Sequence, residues 1–301
     1  MKKLYGTVVP IITPFDENDE LDIDSLKSLT EYIAESKLQC LYPCGTTGEM
    51  CLLTIKERKR IVETVVEQNR GRLPVFAQVG AVTEKETIEL ARHAVEAGCD
   101  GIGVVTPIYF KLSDRGLVDF YTHVADSVPS DFPVYLYGIP QNAVNDISVN
   151  VAKETAARCE NIVGIKYSYP DMTKLQNFMM VKDETFSVLV GPDHLFQAVA
   201  AAGGDGVVSG NAMIIPEHYG AIWEALLEKD YEKARKIQRR TNVLNEVLCR
   251  INNISAYKVM LKEKGIIRNT AMRAPMEHLT DEEAETLIKE MNRLDYGQVR
   301  C

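Results

Sequence analysis

From residue 6 to about residue 210 short, β-branched apolar runs alternate with amphipathic stretches, and the alternation occurs eight times. The runs span 6–13, 40–44, 74–80, 101–106, 133–137, 162–167, 186–191 and 206–210. Each is apolar almost throughout instead of apolar at every second position, the mark of a strand covered on both faces and therefore of parallel pairing. Repeated strand–helix–strand units of this density predict an α/β fold, a closed (β/α)₈ TIM barrel in preference to an open doubly wound sheet. No Gly-x-Gly-x-x-Gly turn follows the first run. The one nearby glycine cluster, Gly203-Gly204-Asp205-Gly206, precedes a strand where a dinucleotide loop would follow one.

Between the runs, i, i+3, i+4 patterning predicts helices such as 25–35, 55–69 and 84–97, with Asp24, Thr54 and Thr83 as caps and Gly98 as a stop. Beyond residue 215 the pattern is nearly continuous helix, over 217–227, 231–251, 255–263 and 281–293. This predicts a catalytic barrel over 1–225 and a helical extension over 226–301 packed on it, since no Gly-, Pro- or Ser-rich linker separates the two. The formal charge of −9 argues against affinity for phosphate backbones or anionic membrane surfaces. No apolar stretch approaches the roughly 20 residues of a membrane span, and the amino terminus lacks a signal-peptide core. A soluble, cytoplasmic protein is expected, with its seven cysteines reduced (Cys40, Cys44, Cys51, Cys99, Cys159, Cys249 and Cys301). Neither these nor the five scattered histidines complete a metal-ligand spacing.

In such a barrel chemistry sits where strands end, so the residues closing each run carry the functional reading. The sixth run ends in Lys166. Taking an ammonium out of water disfavours its charged form and leaves an amine able to form a Schiff base, although a lysine at a strand end can also snorkel to solvent. The second run leads into Gly45-Thr46-Thr47-Gly48-Glu49. There the glycines allow a tight turn, and the amides and hydroxyls offer uncharged donors to a small carboxylate. The fourth leads to Tyr109 and the fifth ends in Tyr137. Each tyrosine alone would read as packing. A threonine hydroxyl, two phenols and a buried lysine at four strand ends are instead the parts of a proton relay around a carbinolamine.

Gly45-Thr46-Thr47-Gly48-Glu49, Tyr137-Gly138-Ile139-Pro140 and Gly164-Ile165-Lys166 resemble the hallmarks of the dihydrodipicolinate synthase and N-acetylneuraminate lyase family of pyruvate-dependent class I aldolases. The resemblance runs from Gly6-Thr7-Val8-Val9-Pro10 through Gly206-Val207-Val208-Ser209 to Arg273-Ala274-Pro275. It implies that Lys166 forms the imine with pyruvate or a longer 2-oxo acid. Tyr137 would shuttle the proton, aided by Thr46 and by a Tyr109 supplied from a neighbouring subunit. Gly45, Thr47 and adjacent amides would hold the carboxylate, with Val208 and Ser209 completing the pocket. It further implies a homotetramer built as a pair of dimers, with small-molecule substrates and no metal or other cofactor.

Within the family the chain departs from one member. Dihydrodipicolinate synthases usually carry an arginine two residues past the proline of the Tyr-x-x-Pro motif, and here that position is Asn142. An amide lacks the charge and the fork of a bidentate carboxylate clamp. Ile108 stands where a first tyrosine of a pair is common. Ser168 and Gly191-Pro192-Asp193 are similar to positions that bind hydroxyls in lyases of polyhydroxylated 2-oxo acids, although His194 follows in place of Glu. These residues favour cleavage or synthesis of a 2-oxo-3-deoxy sugar acid or sialic-acid-type substrate. Dihydrodipicolinate synthesis is the alternative, dehydration of such an acid a third outcome of the same imine, and a non-catalytic 2-oxo acid binding barrel the reading from another class.

Overall fold

The computed structural model describes residues 1–182 and 185–300; Cys301, expected to be a reduced thiol, lies outside them. Eight parallel strands are formed: β1 (Gly6–Val9), β2 (Cys40–Leu41), β3 (Phe76–Gln78), β4 (Gly101–Val105), β5 (Val134–Gly138), β6 (Ile162–Tyr167), β7 (Ser187–Val190) and β8 (Gly206–Val208). They pair in the order β2-β1-β8-β7-β6-β5-β4-β3, and a parallel bridge between Leu41 and Val75 joins the two ends into a barrel. Every apolar run thus yields a strand, but several strands are shorter than their runs. Residues such as Ile11 and Ile12 are buried without belonging to the ladder.

Helices cover the outside. Thr54 and Thr83 each cap a helix through a reciprocal capping box, with Glu57 and Glu86 as partners. The first helix, Ile23–Ala34, is capped by Asp22 and not by Asp24: the Asp22 carboxylate accepts from the Ser25 amide at 3.0 Å, which leaves Asp24 inside the first turn. The last helices are Pro216–Leu227, Tyr231–Leu248, Asn253–Glu263 and Asp281–Arg293. No helix among the described residues is long and apolar enough to cross a membrane.

The barrel interior is filled by Val8, Tyr42, Phe76, Tyr135, Val163, Leu189 and Val208, with the rings of Phe76 and Tyr135 edge to face at 5.7 Å. Aromatic rings this large fit only because facing strands present glycine. A Cβ on Gly103 would lie 1.8 Å from the Tyr42 hydroxyl, and one on Gly164 would lie 2.5 Å from the Ser187 carbonyl oxygen. Below the upper layer the ladder between β5 and β6 slips by one residue. Val134 faces Ile162 but Tyr135 faces Gly164, so that Tyr137 stands opposite Lys166. Ile162, Ile165 and Tyr167 pack on the helix side of the sheet, while Val163 packs inside the barrel.

Candidate active site

Lys166 is buried at the C-terminal end of β6, with 6% of its surface exposed. Its Nζ lies 3.9 Å from the centroid of the Tyr137 ring and 5.2 Å from that of Tyr42, so two π-faces replace the water an ammonium would otherwise hold. Tyr137, two residues beyond Tyr135 on the same strand face, is also buried. Its hydroxyl sits 3.1 Å from Thr46 Oγ1, within hydrogen-bonding range across 91 residues of sequence. Three residues proposed from strand ends are therefore brought together on one spot.

Thr46 is held by a compact turn. The Gly48 and Met50 amides donate to the Gly45 carbonyl at 3.0 and 3.3 Å, and the Glu49 amide donates to the Thr46 carbonyl at 3.0 Å. Gly48 packs so closely that a Cβ there would lie 3.1 Å from the Ile11 carbonyl oxygen. Thr47 is half-buried beside Thr46. Cys44, at the entrance to this turn, is no rival nucleophile, because burial pushes its thiol up to about 11.

Above the turn opens a cleft of about 390 Å³ lined by Thr46, Glu49, Ile108, Ile139, Asn142, Asn253 and Met276. Asn142, on the short helix Pro140–Ala143, is exposed and borders this space. No arginine or lysine lines it among the described residues. Ser168 is half-buried behind β6, its amide donating to the Gly138 carbonyl at 2.8 Å. It lies against Gly191, where a Cβ would come within 2.1 Å of its hydroxyl.

Other expected residues stand elsewhere. The Asp193 carboxylate accepts from the Tyr219 hydroxyl at 2.8 Å and from Asn211 Nδ2 at 3.0 Å, and burial raises its pKa above the ordinary aspartate value. Within one chain it therefore ties the turn after β7 to the turn after β8 and to the Pro216–Leu227 helix. Ser209 accepts from the Ala212 amide at 3.3 Å, and Val208 is part of the barrel filling. Tyr109 is 79% exposed, has φ +76° and packs edge to face on the exposed Phe110, away from Tyr137.

One buried pair escaped the sequence reading. Lys258 Nζ donates to Glu49 Oε1 at 2.5 Å and to the Ala271 carbonyl at 2.7 Å, with both side chains wholly inaccessible. Burial pulls the Lys258 ammonium below its ordinary value, opposed by the Glu49 carboxylate. A lysine inside Ala256-Tyr257-Lys258-Val259-Met260-Leu261 was the available signal.

A sequence profile of the Dihydrodipicolinate synthetase family matches residues 3–294. The chain is 37% identical over 243 residues to the 4-hydroxy-tetrahydrodipicolinate synthase of Aquifex aeolicus, covering 81% of this chain and 82% of that one. Over 297 residues it is 33% identical to the enzyme of that name from Syntrophus aciditrophicus, covering 98% and 99%. The crystal structure of dihydrodipicolinate synthase from Aquifex aeolicus superposes with a TM-score of 0.92 at 32% identity, covering 99% of this chain and all of that one (100%). YagE from E. coli K12, a prophage protein of the dihydrodipicolinic acid synthase family solved in complex with pyruvate, superposes at 0.92 with 27% identity, covering 97% and 99%. The chain belongs to the dihydrodipicolinate synthetase family and is a lyase of the Schiff-base aldolase type.

Proposed function

We propose that Lys166 Nζ attacks the C2 carbonyl of pyruvate and that the resulting enamine condenses with an aldehyde. The observation that carries this is the buried amine 3.9 Å from the Tyr137 ring, with the Tyr137 hydroxyl 3.1 Å from Thr46 Oγ1. Addition gives a carbinolamine, and protonation of its oxygen through Tyr137 and Thr46 releases water and leaves the iminium. The iminium draws electrons from C3, which loses a proton to give the enamine. Attack of C3 on the aldehyde carbon forms the new bond, and breaking the imine, by water or by an amine of the acceptor, frees Lys166. Gly45, Thr47 and their amides hold the pyruvate carboxylate.

For the acceptor, relatives named 4-hydroxy-tetrahydrodipicolinate synthase support aspartate semialdehyde over the hydroxylated 2-oxo acids that Asn142, Ser168 and Asp193 suggested from sequence. The second reading, cleavage or dehydration of a hydroxylated 2-oxo acid, is favoured by one observation: Asn142 borders the cleft where an arginine would clamp a carboxylate. We further propose a homotetramer in which Tyr109, exposed in the single chain, enters a neighbouring subunit's site.

Incubation with pyruvate and borohydride followed by peptide mass mapping tests the chemistry. A reduced pyruvyl adduct on Lys166 is expected, and its absence refutes the imine. Turnover of aspartate semialdehyde compared with pyruvate release from N-acetylneuraminate, 2-oxo-3-deoxygluconate and 4-hydroxy-2-oxoglutarate separates the acceptors. Binding of pyruvate without exchange of its methyl protons would identify a non-catalytic barrel.

A further inference from the structure

Glu49 ends the turn that carries Thr46, and it has a left-handed backbone, φ +59° and ψ +36°, a conformation unfavourable to a residue with a Cβ. Its side chain is wholly buried, and one oxygen, Oε2, has no hydrogen-bond partner among the described residues. A turn that is strained in its backbone and incompletely satisfied in its side chain draws on contacts beyond its own backbone bonds. One is Thr13, whose Oγ1 donates to the Gly48 carbonyl at 2.8 Å, and the others come from the far end of the chain. Lys258 reaches Glu49 Oε1 across 209 residues of sequence. Arg273, from the segment after the Asn253–Glu263 helix, donates Nη1 to the Leu52 carbonyl at 2.9 Å. Both cations lie over the Phe15 ring, Lys258 at 4.6 Å and Arg273 at 4.4 Å from its centroid, so one aromatic ring seats the two arms.

The grip is on the backbone that fixes Thr46. The Glu49 amide donates to the Thr46 carbonyl, and the Gly48 amide closes the same turn on Gly45. A shift of Glu49 towards solvent would pull that amide with it and rotate the Thr46 hydroxyl away from Tyr137. A buried ion pair is a poor source of net stability, since taking both charges out of water offsets most of their attraction. It is a good source of a fixed geometry.

We propose that Lys258 and Glu49 act as a positioning pair, through which the C-terminal helices hold the Thr46 hydroxyl within hydrogen-bonding range of Tyr137. The inference rests on the Schiff-base reading above and assigns the extension a part in the reaction: it sets the register of the proton relay without touching substrate.

The test is a double-mutant cycle on the exchange of pyruvate methyl protons for deuterium followed by NMR, which reports enamine formation and needs no acceptor. Lys258→Met/Glu49→Gln removes both charges at similar volume, so no buried ion is left unpaired. In the wild-type background it should lower the exchange kcat at least about 30-fold, with KM for pyruvate changing less than about threefold. In a Thr46→Val background the same substitution should cost less than about threefold, because the hydroxyl it positions is already gone. Equal losses in the two backgrounds would show a merely structural pair, and no loss in the wild-type background would show an idle one; either overturns the proposal. If the double substitution does not fold, Glu49→Gln alone takes its place in the cycle with about a tenfold loss expected and the same criteria. The wild-type protein carries the control. Without a borohydride-trapped adduct on Lys166 the chemical reading itself fails; with the adduct and an additive cycle, only the positioning role fails.

Discussion

Replacing Tyr137 by phenylalanine removes one oxygen from the site and little else. The ring stays under Lys166 Nζ, 3.9 Å from its centroid, and the buried packing of β5 is unchanged. What is lost is the hydrogen bond to Thr46 Oγ1 at 3.1 Å. Thr46 is half-buried, lines the cleft and can turn its hydroxyl to water, so the stability loss is that of an ordinary hydrogen bond, about 1 kcal/mol. For a chain of this size that is a fall of about 2 °C in Tm. The chemical loss is of another order. Proton transfer by a positioned group contributes about 10²–10⁴ in rate, or about 3–5 kcal/mol of barrier. The expected result is a Tyr137→Phe protein that melts almost like wild type, binds pyruvate with similar KM, and exchanges pyruvate methyl protons at least about 100-fold more slowly. Thr46→Val should be slower as well, and the double variant no slower than the worse single, since the two hydroxyls work as one relay. Exchange by Tyr137→Phe within about threefold of wild type, while Lys166→Ala is inert, would refute the relay. A melting point lowered by 10 °C would instead show that the hydroxyl serves the fold.

Three further outcomes are expected. Asn142→Arg, which places a forked cation on the cleft rim, should raise kcat/KM for aspartate semialdehyde about 10- to 100-fold in a coupled assay, since a charge-assisted hydrogen bond contributes about 1.5–3 kcal/mol; an unchanged value would dissociate this position from carboxylate recognition. Gly103→Ala should destabilise by about 1–3 kcal/mol in urea titration, because its Cβ meets the Tyr42 hydroxyl at 1.8 Å inside a filled barrel, and a neutral result would mean the interior is looser than described. His218 is buried and bonded through Nε2 to the Tyr296 carbonyl at 3.0 Å, so Nε2 carries the proton there; burial holds its pKa below 6.5, offset in part by that bond. The unfolded chain therefore takes the proton first. Its contribution to stability is complete above pH 6.5 and declines as pH falls towards the folded value, so wild type should lose stability relative to His218→Gln between pH 7 and pH 5. Parallel stability curves for the two proteins would contradict this.

The barrel was legible because a parallel strand buried on both faces writes itself as an unbroken apolar run, and eight such runs leave few alternatives. Boundaries were less so: Pro10 and Pro14 end the first ladder early although their neighbours are as apolar as any strand. Asp22 and Asp24 both suit a cap, and only the fold decides between them. Lys166, Tyr137 and Thr46 could be nominated because strand ends are where a barrel exposes chemistry, and the fold brings the three side chains together. Asp193 could not be placed, since its partners Asn211 and Tyr219 reach it from separate turns and helices that share no spacing with it. The Glu49–Lys258 pair was hidden for the same reason, although a lysine amid seven buried neighbours of its helix was an anomaly. Tyr109 was read from a strand end, but its outward position in one chain follows from a loop conformation that period and propensity do not encode.

The one-residue slip between β5 and β6 decides which way the lysine points. Side chains along a strand alternate in parity, and counting from Ile162, which faces the helices, strict alternation would turn Lys166 outward as well. Val163 and Gly164 instead share the interior side, and that repeated step reverses the parity for everything after it. The placement of Lys166 is thus encoded twice, once as a residue type and once as one extra residue in the strand. A lysine grafted at the same distance along a perfectly regular strand would be spent on the wrong side of the wall.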